Sequence, residues 1–320
     1  MTGPLLQVRN LTKRFHTPAG TVHAVEDVSF DIPRGSIMGL VGESGSGKTT
    51  LGRALLRLIQ PTSGQIRFDG TDIAALGAEE MRQMRRRMQI IFQDPMSSLN
   101  PRLKVGDLIA EGLRAFGIGS RTDRRDRVAA LLEEVGLSAD HMNRWPHAFS
   151  GGQRQRIGIA RALALEPEFI VADESVSALD VSIQAQVLNL LLELRDRRNL
   201  TMLFIAHDLS VVNYLCDRVA VLYLGRMMEI GPTDRVHRAS AHPYTRALTS
   251  AIPQPDPRAA RNRQLLQGDI PSPLAPPSGC VFRTRCPHAA PGCEAGAPQA
   301  RTISAHHQSY CKRTEELYGH

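Results

Sequence analysis

The feature that most constrains this chain is a junction in its first fifty residues. The run Ile37-Met38-Gly39-Leu40-Val41 is almost continuously apolar and passes directly into Gly42-Glu43-Ser44-Gly45-Ser46-Gly47-Lys48-Thr49. Such a run reads as a short strand buried on both faces, as in a parallel sheet. Thr49 to Ile59 follows as a helix ending before Pro61. Strand, glycine-rich loop and helix in this order make a cradle for phosphate. The glycines let the backbone approach an anion closely, and the N–H groups of the loop and the helix start favour negative charge. Lys48 adds a point charge for the β- and γ-phosphates, and the Thr49 hydroxyl is a ligand for Mg²⁺. ATP is the expected ligand.

A chain of 320 residues is long enough for a full core and an appended second region. It is 42% hydrophobic and 22% charged, which is ordinary for a globular protein. No apolar run is long enough for a membrane span, and the start, MTGPLLQVRNLTKRF, lacks the apolar core of a secretory signal, so a cytoplasmic location is expected. The formal charge is +7, with basic stretches at Arg82 to Arg87 and Arg121 to Arg127. Neither is interleaved with aromatics, which make up only 5% of the chain, so solvated helix faces are expected rather than a nucleic-acid surface.

Residues 5–70 read as short β segments, with Leu6-Gln7-Val8 and Val22 to Ile32 alternating in polarity. From about Asn100 to Leu165 the pattern turns helical, over Val105 to Phe116, Arg124 to Val135 with Gly136 as a stop, and Gln153 to Leu165. Strands return at Phe169 to Ala172 and Met202 to Ala206, flanking an amphipathic helix over Val181 to Arg197. Val219 to Tyr223 and Arg226 to Ile230 read as a hairpin turned at Leu224-Gly225. The fold class is therefore α/β with a helical insertion. Beyond Ala251 the composition becomes linker-like, from Ile252 to Pro257 and again from Pro271 to Gly279.

Two acids end the run Phe169-Ile170-Val171-Ala172-Asp173-Glu174. Asp173 is placed to hold Mg²⁺, and Glu174 to polarise a water for attack on the γ-phosphate; the plain alternative for Glu174 is a strand-end acid. Gln93, in Ile91-Phe92-Gln93-Asp94-Pro95, can reach Mg²⁺ or water through its amide. His207 follows the buried run Leu203 to Ala206 and is placed to hydrogen-bond the γ-phosphate.

With Ser150-Gly151-Gly152-Gln153 and Ser177-Ala178-Leu179-Asp180, these motifs resemble, in order and spacing over about residues 5–250, the ATP-binding-cassette (ABC) ATPases. The resemblance implies a P-loop NTPase fold with an antiparallel β subdomain, a helical subdomain at about 95–165 and a small Cys-rich C-terminal extension. It implies that Gly42, Glu43, Ser44, Gly45, Ser46, Gly47, Lys48, Thr49 and Thr50 hold ATP, with Thr49, Gln93 and Asp173 on Mg²⁺. Glu174, Gln93 and His207 are then the catalytic residues. Ser150, Gly151, Gly152, Gln153 and Asp180 contact the ATP held by a second subunit, and Phe15 stacks on adenine unless it is a core residue. Two departures stand out: Phe149 precedes Ser150 where Leu is commoner, and Ser175 stands where close relatives have Pro, which loosens the backbone after Glu174.

His242-Pro243-Tyr244-Thr245-Arg246-Ala247-Leu248 and Gly279-Cys280-Val281-Phe282-Arg283-Thr284-Arg285-Cys286-Pro287 are similar to the extension of dipeptide and oligopeptide importers' ATPases. That implies an ATPase domain at 1–250 and a transporter-type C-terminal region at 251–320. It implies a peripheral subunit on the cytoplasmic face of the inner membrane, partnered by two permeases, a second ATPase of sibling sequence and, indirectly, an extracytoplasmic peptide-binding protein. Nickel or another small solute is the alternative cargo, and a soluble ABC ATPase without a transport role is the more distant one. The tail cysteines Cys280, Cys286, Cys293 and Cys311 follow C-x5-C-x6-C-x17-C. Clustered thiols in a reducing compartment suit metal better than disulfides. The family resemblance implies a [4Fe-4S] cluster; zinc, despite the missing C-x2–4-C knuckle, and no metal remain open. Cys216 reads as a small core residue.

Overall fold

A computed structural model describes residues 3–94, 98–177, 179–252 and 264–319. Pro95, Ala178 and the linker residues Pro253 to Pro257 lie outside the described residues. In chain order, strands β1 (Leu6–Thr17), β2 (Gly20–Ile32) and β3 (Ile37–Val41) lead into helix α1 (Lys48–Leu55). Then come β4 (Ser63–Phe68), β5 (Thr71–Asp72), α2 (Ala78–Arg87) and β6 (Met88–Ile91). Helices α3 (Val105–Ala115), α4 (Arg121–Glu134) and α5 (Gly151–Leu163) precede β7 (Phe169–Asp173), α6 (Val181–Arg198) and β8 (Thr201–Ala206). The remainder is α7 (Leu209–Leu215), β9 (Arg218–Tyr223), β10 (Arg226–Pro232), α8 (Thr233–Arg238), α9 (Pro243–Ser250), β11 (Arg301–Ser304), β12 (His307–Ser309) and α10 (Thr314–Tyr318).

The chain divides into two compact units. The first comprises residues 1–32, 37–74 and 204–320, and the second residues 33–36 and 75–203. In the first, an antiparallel sheet runs in the order β2-β1-β4-β5. A further sheet has the strand order β11-β12-β10-β9-β3, with β3 and β9 parallel. All five residues of β3 are buried, as a strand covered on both faces requires. Gly39 is needed there because a Cβ would come within 2.5 Å of Val212 Cγ1 on α7; Cys216 packs beside it as an inert core thiol. The β9–β10 hairpin turns at Leu224 and Gly225, both with positive φ (45° and 75°), the geometry of a tight primed turn.

Helix α1 ends four residues before the expected Ile59. Arg57 adopts φ 48°, its N–H donates to Ala54 O, and the Leu58 N–H donates to Arg53 O. That is a Schellman closure with Arg in the position usually given to Gly or Asn. The tail supplies two strands that periodicity did not reveal. β12 pairs with β10 through Glu229↔Ser309 and Ile230↔Gln308, and β11 pairs with β12. Phe282, fully buried, packs with Tyr223 and Tyr244 at ring separations of 5.4 and 5.2 Å.

In the second unit β6 and β7 are parallel, with Met88 opposite Phe169 and Ile91 opposite Ala172. Ser120 and Asp123 form a capping box at the start of α4, and Gly136 at φ 74° closes its end. α6 ends at Asn199, also left-handed at φ 50°. Arg198 grips Glu134 through two hydrogen bonds, at 2.8 and 2.5 Å. Among the described residues no helix is long and apolar enough to cross a membrane.

Candidate nucleotide site

In the first unit, β3 delivers the loop. Gly42 takes φ 155° and Gly47 φ 99°, conformations that L side chains rarely adopt, and a Cβ on either would lie 2.1 Å from a carbonyl oxygen, of Leu222 or Ala24 respectively. The loop is therefore seated against β9 and β2 with no room for a side chain at those two points. Lys48 is buried and its Nζ donates to Gly42 O at 2.8 Å and Glu43 O at 3.0 Å, holding the ammonium inside the curl of the loop. The Ser46 N–H bonds Glu43 O at 3.1 Å, and the Gly225 N–H bonds Ser46 O at 2.9 Å. Thr49 and Thr50 are half-buried in the first turn of α1, while Ser44 and Gly45 are exposed. Lys48 thus adds positive charge at the start of α1, where the free N–H groups of a helix already favour anions.

Glu43 has further partners that sequence reasoning missed. Its N–H donates to Tyr244 Oη at 3.0 Å, and its carboxylate takes two hydrogen bonds from Arg285, at 2.6 and 3.1 Å. Phe15, in β1 opposite Val22, is 37% exposed with Lys13 Nζ 4.6 Å from its ring centre, so it is no core residue. His207 is exposed at the end of β8, and Asp208 beside it caps α7 through the Ser210 N–H.

The second unit carries the acids. Asp173 closes β7 and is buried; Glu174 follows at φ 42°, a left-handed backbone for a non-glycine residue. Gln93 Nε2 donates to Glu174 Oε2 at 2.8 Å, so the structure brings these two expected site residues together. The Glu174 carbonyl accepts from the Ser177 N–H and hydroxyl at 3.1 and 2.9 Å, which stabilises the turn after β7.

Ser150 caps α5. It is paired with Gln153 in a capping box, with Ser150 Oγ accepting the Gln153 N–H at 3.4 Å and Gln153 Oε1 accepting the Ser150 N–H at 3.1 Å. The helix opens at Gly151 rather than Gln153, so both glycines lie inside its first turn. A Cβ on Gly152 would meet Ile183 Cγ2 at 2.3 Å, and one on Gly151 would touch Leu179 at 3.6 Å. The glycines thus let α5 lie close to the start of α6, which the exposed Asp180 precedes.

The four tail cysteines are free thiols lining one cavity of about 20 Å³ together with His242. Burial pushes the Cys280 thiol up to about 11, and raises Cys286 and Cys311 as well. Among the described residues no group of three or more His, Cys, Asp or Glu is arranged to hold a metal ion. The four expected ligand residues thus line one cavity, without an arrangement for a single metal ion among the described residues.

A family model for ABC transporters matches residues 25–177, and one for the C-terminal region of oligopeptide/dipeptide transporters matches residues 228–293. A Brucella ovis protein carrying the name peptide import ATP-binding protein is 61% identical over 97% of this chain and 98% of its own. The chain belongs to the ATP-binding proteins of the oligopeptide/dipeptide ABC transporter family. A second ABC relative, the oligopeptide transport ATP-binding protein OppF of Salmonella typhimurium, is 51% identical over 95% of this chain and 91% of its own. Among solved ABC structures, the cassette MJ0796, dimeric in a post-hydrolysis state with ADP and Pi, is 29% identical with a TM-score of 0.66, covering 71% of this chain and 98% of that one. As an ABC ATPase the chain binds and hydrolyses ATP.

Proposed function

We propose that the chain energises import of dipeptides or oligopeptides across the inner membrane, as a peripheral ATPase on its cytoplasmic face. The reading is supported by identity of 51–61% over nearly the whole length to proteins named for peptide and oligopeptide transport. It requires two permease subunits, a second ATPase of sibling sequence and an extracytoplasmic peptide-binding protein. Residues 1–250 form the ATPase domain, with a helical subdomain at about 95–165, and 251–320 the transporter-specific region.

In this reading the segment from Gly42 to Thr50 holds the triphosphate, Phe15 stacks on adenine, and Thr49, Gln93 and Asp173 hold Mg²⁺, which neutralises charge on the β- and γ-phosphates. Glu174 polarises the attacking water, Gln93 orients it and His207 hydrogen-bonds the γ-phosphate. Ser150, Gly151, Gly152, Gln153 and Asp180 serve the ATP of the second ATPase. The capping bond uses Ser150 Oγ as acceptor and leaves its hydrogen to donate to phosphate. ATP bound more tightly by the closed pair than by the open one supplies the differential affinity that drives the permeases.

The cysteines Cys280, Cys286, Cys293 and Cys311 are proposed to take an iron–sulfur cluster rather than zinc. Four free thiols lining one cavity support it. Anaerobic purification with iron, sulfide and zinc analysis decides between them. The transport reading is tested by copurification of the chain with an integral-membrane pair and by uptake of labelled dipeptides in a deletion strain. Cofractionation with ribosomes, or loss of nickel uptake alone, would overturn it.

A further inference from the structure

Glu43 is an odd residue to find in a loop built to gather positive charge around a polyphosphate. It lies between Gly42 and Ser44, and a carboxylate at that point repels the phosphates unless something neutralises it or draws it aside. In this structure Arg285 neutralises it. Arg285 Nη1 and Nη2 bond the two carboxylate oxygens at 2.6 and 3.1 Å, a forked pair. The Arg285 side chain is 8% exposed and that of Glu43 26%, so the pair is partly shielded from water and from salt. The backbone of Glu43 is held as well, its N–H by Tyr244 Oη and its carbonyl by Lys48 Nζ.

Arg285 is fixed in turn. Its Nη1 lies 3.4 Å from Tyr223 Oη, and its backbone N–H donates to Phe282 O at 3.0 Å. Tyr223, Tyr244 and Phe282 form one buried aromatic cluster, so the two groups that grip Glu43 from outside the loop are seated in the same core. Arg285 lies 242 residues from Glu43 in sequence and next to Cys286.

We infer that Arg285 is a positioning residue of the nucleotide site: by neutralising Glu43, the C-terminal region sets how tightly the phosphate loop binds MgATP. The inference rests on the reading that this loop binds ATP. A purely structural pin would make the same ion pair, but it makes a different prediction when both charges are removed.

The test is MgATP affinity of the full chain, read by a fluorescent ATP analogue displaced with MgATP, with thermal unfolding alongside. Arg285→Met is expected to weaken MgATP binding about tenfold, because Glu43 is left charged beside the phosphates. The double variant Glu43→Gln/Arg285→Met is expected to return to within about twofold of wild type. Arg285→Lys, which keeps the charge and loses the fork, is expected to weaken binding about threefold and serves if Arg285→Met does not fold. Unchanged affinity in the foldable Arg285 variant, or a double variant no tighter than Arg285→Met, overturns the inference and leaves Arg285 a pin. Wild-type chain that binds no MgATP, like the Lys48→Ala control, overturns the site reading itself.

Discussion

The side-chain amide of Gln93 donates to the carboxylate of Glu174 at 2.8 Å, tying the end of β6 to the turn after β7 within one unit. Glu174 stands at φ 42°, and the turn it opens is held by Ser177. A strained backbone at a polar residue is tolerated where the surroundings over-determine it, and such positions concentrate at reacting centres. Ser175 sits inside this turn, buried with no hydrogen-bond partner for its hydroxyl. Gln93 and Ser177 both hold the Glu174 turn.

Glu174→Gln is accordingly expected to fold as wild type, since the new amide oxygen still accepts from Gln93. Loss of the base should lower ATP turnover by about 10²–10⁴-fold while MgATP binding persists. Phosphate release and analogue binding measured on one preparation check both halves; turnover within tenfold of wild type would remove Glu174 from its role.

Two glycines of the same loop should behave differently when given a methyl group. Gly45 at φ 77° has nothing within 4 Å of an added Cβ, so Gly45→Ala is expected to cost only the left-handed strain, about 1–2 kcal/mol. Gly47→Ala adds a 2.1 Å approach to Ala24 O and should cost at least about twice as much, with loss of MgATP binding. Urea unfolding of the pair reads the contrast, and equal penalties would show that the loop shifts freely.

Glu229 is fully buried and accepts from the Ala241 N–H at 2.8 Å and the His242 N–H at 3.0 Å, with His307 Nε2 at 2.7 Å. Glu229→Ala strands those donors away from water and is expected to destabilise the chain by about 3–5 kcal/mol. A denaturant midpoint unchanged from wild type would contradict this.

Acid sensitivity is expected at Glu26. Burial by itself raises its pKa, but hydrogen bonds from Arg14 and His23 outweigh that and leave it below the usual 4.5. A carboxylate depressed in the folded state stabilises the fold above its unfolded pKa and loses that contribution as pH falls through the folded value. Glu26→Gln should therefore be destabilised at pH 7 and approach wild type below pH 4.5. A stability difference that stays constant from pH 7 to pH 3 would refute the linkage.

Much of the site was legible because its signals are local. The burial of β3, the phosphate loop and the hairpin at Leu224-Gly225 each depend on residues within a few positions of one another. Even there, boundaries drifted: α1 is shortened by a left-handed Arg57, and α5 takes in both glycines because Ser150, not Gly152, carries the cap. What sequence reading did not reach depends on distance along the chain. The Glu229–His307 pair spans 78 residues and the Glu43–Arg285 pair 242, and neither leaves a periodic trace. The tail strands are three and four residues long, too short for alternation to register.

The pairing of β12 with β10 also has a consequence for the order in which the protein is made. The unit that begins with β1 acquires the edge partner of β10, and the histidine that meets Glu229, only when residues 307–309 have left the ribosome. At about 5–20 residues per second that is roughly 15–60 s after the first strand emerges. Until then the nascent chain holds a bare strand edge and an incompletely paired carboxylate, so residues 307–309 act as the clasp of this unit.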